Sequence, residues 1–388
     1  MRVVHDLADF MVAAQQKRVV GRTTAAYEGC TSGDQGLCIN AQRVFAALSF
    51  EQRAFAAHCS HSNNQKRGAA VANTTEHQHP EQTQQPQQAQ QTQHGALAAA
   101  SYSELAWTSD DGLRLYARDY PAASGFARLP VICIHGLTRN CSDFDEVAPL
   151  IAEQGRRVIA IDVRGRGNSA WDSNPAHYNL LVYSRDVVKL MHDLGIARAV
   201  FIGTSMGGLI TMTLAVRHLH LVAAAVLNDV GPLLSKRGLA RIAAYAGKGE
   251  QLRSWTEAAA YLRTINEVAF PHYEQADWDK WARRAFVEDS AGVLTMRYDA
   301  NIGLALRAGA VKSSSMMANF AFKRLARRRP ALLIRGAISD LVEAEQVAQM
   351  RAMAPAMAVA EVADVGHAPM LSEPQAQAAL REFLAKVD

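Results

Sequence analysis

Residues 201–211, Phe-Ile-Gly-Thr-Ser-Met-Gly-Gly-Leu-Ile-Thr, constrain the fold of this chain more than any other stretch. The apolar run 199–202 breaks at Gly203, and an apolar-periodic helix begins straight after Gly207 and Gly208, which puts Ser205 on a strand-to-helix corner. A serine hydroxyl held above a sheet needs a sharp, strained turn, and glycines two before and two after it let strand and helix pack closely. Chance alone would place Gly-x-Ser-x-Gly on the order of 0.1 times in a chain of 388 residues. Ser205 is therefore a candidate nucleophile, and the chain around it has to supply the sheet.

Residues 105–108 and 113–117 flank Asp110-Asp111-Gly112, turn chemistry that predicts a hairpin. Residues 130–135 and 157–162 read as short buried strands on either side of a helix over 144–153. A helix over 181–194 leads to the strand 199–202, and 221–228 is a further apolar strand. Strands alternating with helices predict an α/β protein, its mostly parallel sheet flanked by helices and the hairpin added as an antiparallel edge. At about residue 231 the alternation stops. Residues 239–246, 255–267, 278–287 and 300–308 carry helical patterns with no convincing strand, which predicts an inserted helical cap over 231–329. The sheet resumes at 331–335, followed by a helix over 344–352, a strand at 358–362 and a closing helix over 375–387. The expected core thus has two parts, 101–230 and 330–388, around the cap.

Residues 1–100 differ in kind. Segment 60–94 has almost no large apolar residues and ends in the glutamine-rich tract 82–93. Such a segment cannot bury enough apolar surface to offset its ordering entropy, so a largely disordered extension is expected. No apolar stretch approaches the roughly 18 residues of a membrane span. His5, Asp6, Asp9, Lys17 and Arg18 break up any secretory apolar core near the start, and a cytoplasmic protein is expected. A net charge of +4 gives no reason to invoke nucleic acid. The basic cluster Lys323, Arg324, Arg327, Arg328 and Arg329 suits a solvated helix end better than an anion site. Five scattered cysteines do not read as a disulfide framework, and Cys30, Cys38, Cys59 and His61 match no metal-site spacing, so neither metal nor cofactor is expected.

A serine hydroxyl is a poor nucleophile at neutral pH and needs a base and a group to orient that base. Asp340 follows the strand 331–335 in Gly-Ala-Ile-Ser-Asp-Leu-Val, and His367 follows the last strand in Val-Gly-His-Ala-Pro. In a parallel sheet the loops at the strands' carboxyl ends share one edge, the edge that carries the corner, so Ser205, Asp340 and His367 can meet there. Their chain order, Ser, Asp, His, is the one this architecture uses.

From residue 102 to 388 the chain resembles the alpha/beta-hydrolase superfamily. The resemblance rests on His135-Gly136, Asp162-Val-Arg-Gly-Arg-Gly-Asn-Ser169, the corner itself, Ser339-Asp340 and Gly366-His367. It implies an eight-stranded, mostly parallel sheet with a helical cap between the sixth and seventh strands. It also implies an oxyanion hole made by the backbone N–H groups of Leu137 and Met206, donors preorganised for the charge of a tetrahedral intermediate. Some members supply the acid from the position after the sixth strand, which here is Asp229. Asp340 is the expected orienter, and Asp229 is expected at a hinge or on the pocket rim. His135 is expected to pack and hydrogen-bond beside the oxyanion loop, and Asp364 to sit in a turn. The loop with Arg164, Arg166 and Asn168 lacks the Lys-Ser/Thr of a phosphate-binding loop and is expected to be a structural turn.

A serine at the corner implies an acyl-enzyme, unlike the branches of the superfamily that form an alkyl ester on an aspartate. Cleavage of a small carboxylic ester or lactone is the expected reaction, because alkoxide leaving groups ask least of the acid step. Two alternatives stay open: hydrolysis of a carbon–carbon bond in a vinylogous diketone, and a ligand receptor that retains the triad. The former enzymes usually carry Asn where this chain has Thr204, and turnover separates the latter from an enzyme. The cap is expected to line the acyl pocket through Trp255 and Tyr261, with Phe270, Trp278 and Trp281 beside them and Trp171 and Met206 from the core. Fold analogy gives the reaction class and not the molecule.

Overall fold

The computed structural model describes residues 102–123, 128–309 and 311–387. The expectations for residues 1–100, including Cys30, Cys38, Cys59 and His61, lie outside the described residues. The strands in chain order are β1 (Ser103–Thr108), β2 (Arg114–Tyr120), β3 (Val131–Ile134), β4 (Val158–Asp162), β5 (Ala199–Thr204), β6 (Val222–Asn228), β7 (Phe286–Glu288), β8 (Leu294–Met296), β9 (Ala331–Gly336) and β10 (Ala358–Val362). Eight of them form one sheet in the order β1-β2-β4-β3-β5-β6-β9-β10. The pairs β1–β2 and β2–β4 are antiparallel and every other pair is parallel, as the hairpin and the alternating pattern predict. The central strands β3, β4 and β6 are buried along their whole length, which is why they read as unbroken apolar runs rather than alternating ones. Among the described residues no helix is long and apolar enough to cross a membrane.

The corner after β5 is as tight as its glycines require. Ser205 stands at φ 50° and ψ −112°, a strained backbone for a residue with a side chain. The helix Met206–Arg217 leaves directly from it and runs so close to the sheet that a Cβ on Gly207 would lie 2.0 Å from the Ile134 carbonyl oxygen. The loop after β4 is a structural turn, as expected. Asp162 accepts from the backbone N–H of Cys141 (2.7 Å) and of Asn168 (2.8 Å), closing the loop on the strand it leaves. Arg164, 1% exposed, is held by Asp111, Asp172 and Asp186 at 2.6–2.8 Å and so ties three segments together instead of facing a ligand.

Between β6 and β9 stand the helices Lys236–Tyr245, Trp255–Asn266, Gln275–Ala285 and Leu304–Arg307. The pair Trp255–Asn266 and Gln275–Ala285 pack on each other, and Phe270, Tyr273, Trp278 and Trp281 form an aromatic cluster in which the two tryptophans stack at 5.7 Å. One expectation fails here, because the cap also contains strands. The helix expected over 278–287 stops at Ala285, and β7 and β8 make an antiparallel hairpin. Asp289 closes its turn by accepting from the N–H groups of Ala291 and Val293 (both 2.9 Å), with Gly292 at φ 73°. Strands of three residues are too short for a period of two to stand out from a helical pattern. The helix Met316–Ala326 falls within the span expected for the cap but packs on the helix Met206–Arg217.

The corner generates a test of the packing argument. Gly207→Ala forces a methyl group into a backbone carbonyl that cannot move without β3, and should destabilise the protein by about 3 kcal/mol. A thermal melt of Gly207→Ala indistinguishable from the unaltered protein would contradict it.

Candidate active site

The carboxyl ends of β5, β6, β9 and β10 bring four polar side chains together. Ser205 Oγ lies 3.0 Å from His367 Nε2, and His367 Nδ1 lies 2.8 Å from Asp229 Oδ2. With a carboxylate as its partner, Nδ1 carries the proton, and Nε2 is left to accept from the serine hydroxyl. Asp229 has no exposure to solvent and stands at φ 52° at the end of β6. Its Oδ1 accepts from the N–H of Gly336 (3.0 Å), and its Oδ2 also accepts from Ser339 Oγ (2.6 Å). Ser339 Oγ in turn accepts from the N–H groups of Leu341 and Val342, both at 3.2 Å. Next to Asp229, Asn228 donates to Thr204 Oγ1 (3.0 Å) and to the carbonyl of Pro369 (2.8 Å), tying β5 and β6 to the histidine loop.

This geometry corrects the sequence reading of the acid. Asp340 does not reach His367 as a hydrogen-bond partner. Its carboxylate is held by Arg241 on the cap helix Lys236–Tyr245, Oδ2 accepting from Nε at 2.6 Å and Oδ1 from Nη2 at 2.8 Å. Burial raises the Asp340 carboxyl, yet the hydrogen bonds and charge of Arg241 outweigh it and hold the group below its ordinary range. Asp229, expected on a hinge or the pocket rim, instead contacts the imidazole. The two carboxylates follow neighbouring strands and have different partners: Arg241 of the cap holds Asp340, and Asp229 faces the histidine.

His135 behaves as expected. It is fully buried, its Nε2 accepts from the N–H of Val163 (3.0 Å), and its Nδ1 donates to the carbonyl of Gly136 (2.7 Å). Burial pushes its pKa down to about 3, so it stays neutral and fixes the loop that follows β3. That loop runs against the corner: a Cβ on Gly136 would sit 3.8 Å from Ser205 Cβ. Leu137 lies on the cavity wall and Met206 is buried behind Ser205. Arg166, fully buried, touches both, donating to the Leu137 carbonyl (3.1 Å) and to Met206 Sδ (3.4 Å). Asp364 stands at φ 57° in a turn, as expected.

Ser205 and His367 open into a narrow cavity of about 60 Å³. The cap contributes Ile242, Tyr245, Leu262, Ile265, Asn266 and Met296, and the core contributes Arg139 and Thr204 among others. Of the aromatic residues expected there, only Trp281 lines it. Trp171 is 59% exposed, Trp255 donates to Glu288 (3.1 Å) under the Arg283 guanidinium, and Tyr261 donates to the Lys248 carbonyl (3.2 Å). Phe270 and Trp278 went to the cap's own core, where their area is worth most, while Trp255 and Tyr261 are only partly buried and Leu262 and Ile265 on their helix face the site. The spacings 242/245 and 262/265/266 follow one helical face each and were the available signal.

Residues 131–380 match the profile of the alpha/beta hydrolase family. Over 259 residues the chain is 35% identical to the 3-hydroxybutyrate-oligomer hydrolase of Cupriavidus necator, a match that covers 65% of this chain and 87% of that one. It is 30% identical over 164 residues to the sn-1-specific diacylglycerol lipase ABHD11 of Danio rerio, covering 41% of this chain and 43% of that one. Among solved structures, an alpha/beta hydrolase from Novosphingobium aromaticivorans matches with a TM-score of 0.68 at 39% identity, over 74% of this chain and 99% of that one.

Two asparagine variants separate the carboxylates. Asp229→Asn should lower kcat on the order of 10⁴-fold, as loss of the group that orients the imidazole does in serine hydrolases, while Asp340→Asn should stay within about tenfold. The reverse ranking would reinstate Asp340. Asp340→Asn should instead show in the melting temperature. A carboxyl whose pKa is depressed on folding stabilises the protein above its ordinary value of 3.8. The deficit of the variant should therefore be full at neutral pH and close as the pH falls below that value; a deficit independent of pH would contradict it.

Proposed function

The chain belongs to the alpha/beta hydrolase family, and from that premise we propose that it is a serine hydrolase that cleaves a small carboxylic ester or lactone through an acyl-enzyme. The observation that carries the reading is the hydrogen-bonded series from Ser205 through His367 to Asp229, at 3.0 and 2.8 Å. Ser205 Oγ attacks the carbonyl carbon while His367 Nε2 takes its proton. The carboxylate of Asp229 keeps the ring in the tautomer that can do this and stabilises the imidazolium that results. Negative charge gathers on the former carbonyl oxygen, where the N–H groups of Leu137 and Met206 receive it. Collapse breaks the bond to the leaving alkoxide, which takes the proton from Nε2. A water molecule then gives a proton to the same nitrogen and attacks the acyl-enzyme, and the second collapse frees the acid and restores Ser205.

Ester cleavage is favoured by the relative from Cupriavidus necator, since oligomers of 3-hydroxybutyrate are joined by ester bonds. A short hydroxyacyl group also suits a narrow cavity with apolar walls at Ile242, Leu262 and Ile265 and polar groups at Tyr245 and Asn266. We place the protein in the cytoplasm, a compartment compatible with the free, buried thiols of Cys133 and Cys141.

The test is steady-state hydrolysis of p-nitrophenyl esters from acetate to decanoate, beside the dimer of 3-hydroxybutyrate. The expected result is turnover that favours the short acyl chains and the dimer, and that falls on the order of 10⁶-fold in Ser205→Ala. Activity of Ser205→Ala within about tenfold of the unaltered protein would end the mechanism. A single turnover followed by arrest would favour a receptor.

A further inference from the structure

The helix Met316–Ala326 presents two unlike faces. Ala321, Phe322, Leu325 and Ala326 are buried where it packs on the helix Met206–Arg217. The opposite stripe, Met316, Phe320, Lys323 and Arg327, follows spacings of four, three and four residues and so shares one face. Met316 is 91% exposed and Phe320 52%, and Met317 beside them is 51% exposed. Single exposed apolar residues are ordinary, but three adjoining ones at a helix start are not.

The sequence that carries them is equally one-sided in charge. Residues 301–339 hold eight Lys and Arg and not one Asp or Glu. Among the described residues only Arg335 of these eight has a carboxylate partner, Glu361. Arg324, Arg327 and Arg329 donate to the backbone carbonyls of Ala215 (2.8 Å), Met353 (2.6 Å) and Val222 (2.6 Å), which holds them in place without neutralising them. A solvated helix end accounts for the cations at the last turn. It does not account for Met316 and Phe320 on the same stripe.

We propose that this face docks the protein on the surface of an anionic phospholipid bilayer. Apolar side chains that reach the acyl boundary, with Lys and Arg at the level of the phosphates, are the pairing by which interfacial helices bind. Met316, Met317 and Phe320 supply the first part, and Lys312, Lys323, Arg327 and Arg328 the second. Charge argues against a second copy of the chain as the occupant, since a symmetric contact through this stripe would set the same cations against one another. Docking would be peripheral, and it is independent of the ester chemistry at Ser205.

Sedimentation of the full chain with phosphatidylcholine vesicles, with and without phosphatidylglycerol, tests the proposal. The protein should sediment with the phosphatidylglycerol vesicles only, and less so as salt rises. The pairs Met316→Ser with Phe320→Ser, and Lys323→Glu with Arg328→Glu, should each weaken this binding about tenfold or more while leaving p-nitrophenyl acetate hydrolysis and the melting temperature unchanged. Absence of binding to anionic vesicles overturns the proposal. So does binding that neither pair weakens, because the contact would then lie elsewhere on the chain. A change from dimer to monomer in the serine pair, without vesicle binding, would assign the face to a second copy and overturn it too.

Discussion

A carboxylate with no exposure to water, that of Asp229, has to be met by hydrogen-bond donors from the protein, and the three that do so hold the carboxyl edge of the sheet together. Its donors come from three different places: the N–H of Gly336 at the end of β9, the hydroxyl of Ser339 in the loop beyond, and the imidazole of His367 after β10. Each is therefore fixed relative to the end of β6. The imidazole in turn reaches Ser205 at the end of β5. The two ends of the series, Ser205 and Asp229, both stand at positive φ, 50° and 52°, strain that surrounding structure has to hold in place.

The surroundings do so with neutral groups and with charges already spoken for. His135, pushed down to about 3 by burial, acts as a neutral brace between β3 and β4 rather than as a second base. Asn228 ties the two serine-side strands to the loop that carries His367. The cap contributes twice, through Arg241 on Asp340 and through the carbonyl of Ala269, which accepts from the N–H of Gly366 at 2.7 Å. The residue before the histidine is thus held by the cap, which also lines the cavity into which the histidine opens.

Much of this was legible in the sequence, and the reason is periodicity. Strands buried on both faces, the glycines of the corner and the two loops after β9 and β10 each leave a local mark, so the sheet, Ser205 and His367 could be read directly. The choice between Asp340 and Asp229 could not. Both follow strands that end on the same edge, and their partners, Arg241 on an inserted helix for one and His367 for the other, are set by tertiary docking that no local pattern encodes. The pocket failed for a related reason: Trp255 and Tyr261 lie on the right helix, but Leu262, Ile265 and Asn266 take its cavity-facing side, and which side meets the core is set by how the cap docks. The hairpin β7–β8 escaped because strands of three residues carry too few positions for a period to show.

The central claim is that Ser205 is a nucleophile activated by His367, and covalent labelling reads it most directly. A fluorophosphonate should attach at one position, found by peptide mass spectrometry at Ser205, and the labelling should be lost in His367→Ala. An adduct on any other residue, or labelling of Ser205 at an unchanged rate without the imidazole, would contradict the account.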